Sequence, residues 1–232
     1  MNDSADRIAQ MKQRAADAAL AKVESGMTLG LGSGSTAALF IASLGKAIAE
    51  GRLTDIIGIP TSRASAELAR EADIPLTDFT ESARCAVTVD GADEIDGKLR
   101  LIKGLGGALL REKLVAQNSD VLVIIADDTK CVDRLATKAP LPVEVTPFGH
   151  DATRRFLETF GEPRLRGGTD DPFITDNGNL IYDVHFQEGM TDAEAVADAL
   201  QQRAGVVEHG LFLGMADHAI VAGTDGIQTL NR

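Results

Sequence analysis

Residues 89–113, VDGADEIDGKLRLIKGLGGALLREK, set acids and bases around glycine-rich turns beside apolar segments. Charge packed this closely next to buried-looking strands marks a reaction site. The apolar run 85–89 reads as a buried strand ended by an Asp90-Gly91 turn, so Asp90 and Asp93 are expected on a strand-to-helix loop. In open parallel sheets ligands bind outside the carboxyl ends of strands, which makes such acids better placed for chemistry than acids on a helix face. For an Asp-Gly pair alone, a solvated turn is the plainer alternative. Acids at 90, 93, 94 and 96 do not fit the alternating ligand positions of an EF-hand loop closed by a glutamate.

Gly104, Gly106 and Gly107 free the backbone for a tight turn, and 108–117 has the length and residues of a helix. At about 100° per residue, Arg111, Glu112 and Lys113 point in three directions among Leu109, Leu110, Leu114 and Val115. No single face of this helix is polar, so at least one of the charges must face packed protein or a cleft. An acid placed there is partly desolvated and its pKa raised, which makes Glu112 the best candidate general base. A surface helix acid is the alternative.

The loop Gly30-Leu-Gly-Ser-Gly-Ser-Thr36 follows a predicted strand and precedes a predicted helix, the setting in which backbone N–H groups hold phosphate. It lacks the lysine of a Walker loop, and although Gly32, Gly34 and Ala37 match a GxGxxA dinucleotide fingerprint, Thr61 and Ser62 stand where a ribose-binding acid is expected. A small phosphate ligand, a dinucleotide and a structural turn stay open for this loop, and the hydroxyls of Ser35 and Thr36 favour phosphate or sugar. Lys130 follows a strong strand at 121–126, on the same expected edge as these loops. His150, His185, His209 and His218 share no ligand spacing and read as structural or surface residues. Cys85 and Cys131 suggest neither a disulfide framework nor a zinc site.

The elements that must position these groups alternate Val, Ile and Leu-rich strands with Ala-rich helices. That pattern favours an α/β fold with a Rossmann-like, mainly parallel sheet. Helices are expected over 4–24, 64–72, 150–160 and 192–204, and strands over 27–31, 55–60, 74–79 and 179–186. Prolines near 139–142 suggest a domain crossing, after which the order resembles a split βαβ, ferredoxin-like α+β module. Strands at 218–222 and 227–230 then return to the first domain. The expected division is a catalytic domain over 1–140 and 214–232 and a small domain over 141–213. With 23 Lys and Arg against 35 Asp and Glu, the net charge of −12 argues against non-specific binding to nucleic acid or an anionic membrane. No apolar run is long enough to span a bilayer, and the start lacks a signal-peptide core.

Taken in order, GLGSGSTA, VDGADEIDG, IKGLGGALLREK, the Lys130 loop, LPVEV at 141–145 and TDNGN at 175–179 resemble the type A ribose-5-phosphate isomerase family over nearly the whole chain. The resemblance implies cofactor-free interconversion of ribose 5-phosphate and ribulose 5-phosphate in the pentose phosphate pathway, by a cytoplasmic homodimer or homotetramer. It carries the proton acceptor onto Glu112. The substrate-binding positions fall on Ser33, Gly34, Ser35 and Thr36; on Asp90, Gly91, Ala92 and Asp93; and on Lys103, Gly104, Leu105 and Gly106. Lys130 is a further substrate contact, and Lys12 matches a basic position near the phosphate. Ser33 keeps the hydroxyl where relatives often have Thr, and Leu105 stands where many have Gly or Ala.

An aldose-ketose isomerisation needs a base, an oxyanion stabiliser and a grip on phosphate. The expected roles are Glu112 as base between C2 and C1, Lys103 as stabiliser of the oxyanion, and Asp90 and Asp93 at the sugar hydroxyls. The rivals are a non-catalytic sugar-phosphate sensor, which would need a DNA-binding domain, an acyl-CoA transferase with a glutamate nucleophile, and a nicotinamide-dependent dehydrogenase.

Overall fold

The structure, a computed structural model, describes residues 2–232. In chain order the first half contains α1 (Asn2–Ala19), β1 (Thr28–Leu31), α2 (Ser35–Ala49), β2 (Ile57–Pro60), α3 (Arg63–Glu71), β3 (Cys85–Gly91), β4 (Glu94–Ile95), β5 (Leu101–Ile102), α4 (Leu109–Gln117) and β6 (Ser119–Asp127). The second half contains β7 (Leu141–Val145), α5 (His150–Leu157), β8 (Glu162–Leu165), β9 (Leu180–His185), α6 (Ala193–Gln201), β10 (Val206–His209), β11 (Leu211–Phe212), β12 (His218–Gly223) and β13 (Gly226–Asn231). Two compact units result. The first takes the chain up to Ala92, Arg111–Lys130 and Met215–Arg232, and the second takes Asp93–Leu110 and Cys131–Gly214. The second unit therefore spans more than residues 141–213.

In the first unit a six-stranded sheet runs β13-β12-β6-β3-β1-β2. All pairs are parallel except the β12–β13 hairpin at the edge. The strand order reverses between β1 and β3, and the crevice beyond the strand ends at such a reversal is where open α/β sheets bind ligands. Period-2 alternation gives each strand two jobs. Leu29 and Leu31 of β1 and Val87 and Val89 of β3 enter one core with Met11 and Ala15 of α1 and Phe40, Ile41 and Leu44 of α2. Fully burying a side chain such as Phe40 or Leu44 stabilises by about 1.5–3 kcal/mol. On the other face Gly30 opposes Thr88 and Val115, where a Cβ would stand 1.8 Å from the Thr88 hydroxyl, so α4 packs directly against β1.

The second unit holds a four-stranded antiparallel sheet, β10-β7-β9-β8, with α5 following β7 and α6 following β9. This is the expected split βαβ arrangement. Leu141, Val143, Val145, Leu180, Tyr182 and Val184 turn one sheet face toward Leu157 and Leu200 of the two helices. A small sheet, β11-β5-β4, belongs to the same unit.

Several local expectations change. Asp90 lies inside β3, and β3 leads into the β4–β5 hairpin, not into a helix. The hairpin forms because Asp96 Oδ1 accepts both the Lys98 and Arg100 N–H groups at 2.9 Å while Asp96 Oδ2 meets Arg100 Nε at 2.7 Å. Strands this short carry no periodicity, so the sequence pattern does not reveal them. The run 74–79 makes only a bridge, Leu76 to Gly58. The first helix stops at Ala19 and tightens into a 3-10 turn over Leu20–Lys22.

Candidate functional site

The candidate residues divide between the two units, and each group is built locally. In the first unit, β1 ends at Leu31 and the chain turns through Gly32 to Gly34 into α2. Gly32 is required by close approach, since a Cβ there would lie 2.3 Å from Asp90 Oδ1 and 2.6 Å from Asp90 Cα. That contact lets Asp90, 1% exposed, reach across the strand-order reversal and accept the Ser33 N–H at 3.0 Å and its neighbour Gly91 N–H at 2.7 Å, both on Oδ1. Gly34 sits at φ 91°, a conformation L side chains rarely adopt, and forms the N-cap of α2 without a side-chain cap. The first N–H groups of this 15-residue helix therefore open onto the loop with the positive end of its dipole, a ready anion site.

Hydroxyls and one ammonium surround the loop. Ser33 Oγ lies 2.7 Å from both Thr61 Oγ1 and Ser62 Oγ, and Ser62 also caps α3 by accepting the Ser65 N–H at 3.0 Å. Thr61 and Ser62, which stand where a dinucleotide site would carry an acid, thus act as supports for the Ser33 turn. Lys12 Nζ donates to Ser35 Oγ at 2.9 Å. At the end of β6, Asp127 is 1% exposed, and its Oδ1 accepts the Thr129 N–H at 3.1 Å and the Thr129 hydroxyl. This shapes the 3-10 turn Asp128–Lys130 that carries the half-buried Lys130.

Helix α4 inverts the usual burial order. Glu112 and Lys113 are 5% and 3% exposed while Leu114 beside them is 44% exposed. Burying two ionisable groups and leaving a leucine in water is unfavourable for folding alone, and such local violations concentrate at functional sites. The deduction that a charge on this helix must face inward is met by the structure.

In the second unit, Asp93, Lys103, Gly104, Leu105 and Gly106 gather around one turn. Asp93 Oδ2 accepts the Leu105 N–H at 2.9 Å, and the Lys103 N–H donates to the Gly210 carbonyl at 2.9 Å. Lys103 is 2% exposed, with Nζ 5.4 Å from the centroid of Phe212, where a desolvated ammonium gains from the ring's negative face. Arg166, about 60 residues further along and paired with Asp183, also reaches this turn; nothing in their spacing pointed to it. The Arg166 Nη1 is 3.1 Å from the Gly104 carbonyl. The motifs at 141–145 and 175–179 meet at Glu144, fully buried, whose Oε1 accepts from Thr175 at 2.8 Å and Asn179 at 2.9 Å. Ala92 is half-buried at the end of a stretch of the first unit. Three histidines have structural roles: His150 meets the Tyr182 hydroxyl and His218 meets Asn231, each at 2.8 Å, and His209 is buried in β10.

Comparisons with known proteins bear on this arrangement. The family model described as ribose 5-phosphate isomerase A (phosphoriboisomerase A) matches residues 57–226. A ribose-5-phosphate isomerase A from Roseiflexus sp. (strain RS-1) is 51% identical over 222 residues, covering 95% of each chain. Among solved structures, a D-ribose-5-phosphate isomerase in complex with phospho-erythronic acid superposes with a TM-score of 0.94 at 40% identity, covering 97% of this chain and 99% of that one. The ribose 5-phosphate isomerase of Plasmodium falciparum gives a TM-score of 0.93 at 37% identity, with the same coverage. With its Asp90-supported glycine turn, its inward-facing Glu112 and this likeness over nearly its whole length, the chain belongs to the ribose 5-phosphate isomerase A family.

Proposed function

We propose that the protein interconverts D-ribose 5-phosphate and D-ribulose 5-phosphate through an enediolate, with Glu112 moving the proton. The observation that carries this reading is the burial of Glu112 on a helix that leaves Leu114 in solvent, in a chain about half identical to named isomerases. In this mechanism the Glu112 carboxylate takes the proton from C2 of the open-chain aldose and returns it to C1. Electrons shift toward the C1 oxygen, and the buried Lys103 ammonium stabilises the charge developing there. Asp90 and Asp93 hydrogen-bond sugar hydroxyls and assist ring opening and proton movement between oxygens. The open N-terminus of α2 with Ser33, Gly34, Ser35 and Thr36 takes the phosphate, helped by Lys12 and Lys130.

Isomerisation at a terminal carbonyl balances without an external electron carrier, so the proposal includes no cofactor. That a solved relative is named as a complex with phospho-erythronic acid supports a phosphorylated sugar framework as ligand class. The sensor alternative is not favoured, because relatives matched over 95% of their length carry the isomerase name. Among the described residues no helix is long and apolar enough to cross a membrane. A cytoplasmic homodimer or homotetramer is the proposed working form.

The test is purified protein with ribose 5-phosphate in deuterated buffer, without added metal or nucleotide. Ketopentose formation with solvent deuterium entering the carbon-bound position is expected. Absence of both products from folded protein rejects the proposal.

A further inference from the structure

The Gly104–Gly106 turn is gripped inside the second unit by a pair of residues that the proposed mechanism does not use. Arg166, just after β8, places Nη1 3.1 Å from the Gly104 carbonyl and 3.0 Å from the Leu105 carbonyl. Its Nε and Nη2 donate to the two carboxylate oxygens of Asp183 at 2.9 and 2.6 Å. The pair is 15% and 17% exposed, so solvent screens it little and the fork geometry holds both partners. The guanidinium carbon lies 5.7 Å from the centroid of Phe173, and that ring closes on Gly107, where a Cβ would stand 2.5 Å from it.

Direction follows from these contacts. The described peptide bonds are trans, so each carbonyl and the N–H of the next residue point opposite ways. Holding the Gly104 and Leu105 carbonyls on one guanidinium therefore aims the Leu105 and Gly106 N–H groups away from it. The first meets Asp93 Oδ2 at 2.9 Å. The second belongs to the exposed residue Gly106, and the same peptide plane fixes its direction.

We propose that Arg166, locked by Asp183, is a positioning residue for the isomerisation. It fixes the plane of the Leu105–Gly106 peptide, and with it the main chain following Lys103, before substrate arrives. The inference rests on the isomerase reading and adds the device that pre-orients the substrate-binding turn following Lys103. A lysine at 166 would supply point charge without the fork that serves two carbonyls and a carboxylate together. Misplacement of donors by about 1 Å is enough to cost on the order of 10²-fold in rate.

The experiment combines kinetics with amide hydrogen exchange on Arg166→Met, Arg166→Ala, Arg166→Lys and the milder Asp183→Asn. For Arg166→Met, kcat for ribose 5-phosphate falls about 10- to 100-fold while KM moves less than about threefold. Asp183→Asn shifts kcat the same way by less, and Arg166→Lys does not restore the wild-type rate. Guanidinium added to Arg166→Ala recovers part of kcat, and it leaves Glu112→Gln unchanged. Without substrate, the Leu105 and Gly107 amides of Arg166→Met exchange at least about tenfold faster, while β7 and β9 amides keep their protection. A folded Arg166→Met with kcat within about twofold of wild type, or a loss lying wholly in KM, overturns the proposal. If the wild-type protein does not isomerise ribose 5-phosphate, the functional reading falls separately, and unchanged amide protection at 105 and 107 rejects the clamp by itself.

Discussion

Replacing Gly32 by alanine tests whether the glycine turn and Asp90 form one construction. The added methyl carbon would sit 2.3 Å from Asp90 Oδ1, 2.5 Å from its Cγ and 2.6 Å from its Cα. The last contact is backbone, so a side-chain rotation alone does not relieve it, and the ends of β1 and β3 must separate. Asp90 Oδ1 receives the Ser33 and Gly91 N–H groups at 3.0 and 2.7 Å, and moving the carboxylate breaks at least the first. Losing one hydrogen bond to a buried charge costs about 1.5–3 kcal/mol, and overpacking adds about 1–3 kcal/mol. The expected destabilisation is about 2.5–6 kcal/mol, a lowering of Tm by at least about 5 °C for a chain of this size. Turnover falls at least about 10²-fold, because the displaced acid and the shifted Ser33 turn both belong to the proposed machinery. Gly34→Ala supplies the contrast: it meets nothing within 4 Å and carries only the strain of φ +91°, about 1–3 kcal/mol. Differential scanning calorimetry and a ribose 5-phosphate assay read both variants. Gly32→Ala with wild-type Tm and turnover would refute the coupling of loop and acid.

Three further outcomes are expected. Glu112→Gln keeps the fold, judged by circular dichroism, and lowers turnover by about 10² to 10⁴, the usual cost of a lost general base; near-normal turnover rejects its role. Lys130→Ala raises KM for ribose 5-phosphate with kcat little changed, whereas a change confined to kcat contradicts phosphate binding. Burial pushes the Cys85 thiol above its ordinary value, against hydrogen bonds from Thr88 and Ser119 that lower it. The folded state then keeps a proton that the unfolded chain gives up, so this contribution is complete below about pH 8.5 and is lost as pH rises through the folded value. Urea titrations at stepped alkaline pH should show a shallower decline for Cys85→Ala than for wild type; equal slopes would count against the assignment.

The sequence by itself determined the alternation of strands and helices, the parallel sheet, the split βαβ order and the inward charge on α4. These properties depend on residue type and period: 2 for strands, 3.6 for helices, with glycine where backbones turn or touch. The Gly30–Thr36 loop and the end of the Asp90 strand were legible as two separate glycine-marked segments, although Asp90 proved to lie in β3 and not in a loop. Their union was not. Only the order of strands in the sheet sets β1 beside β3 and brings the Ser33 N–H onto Asp90. The β4–β5 hairpin, too short for a period, depends on Asp96 gathering its turn. No motif or period marks Arg166 or Asp183, because Arg166 is defined by carbonyls some 60 residues away in the chain and Asp183 by Arg166 itself. Tertiary structure decides such residues, since hydrogen bonds reach about 3 Å in space and leave no fixed interval in sequence.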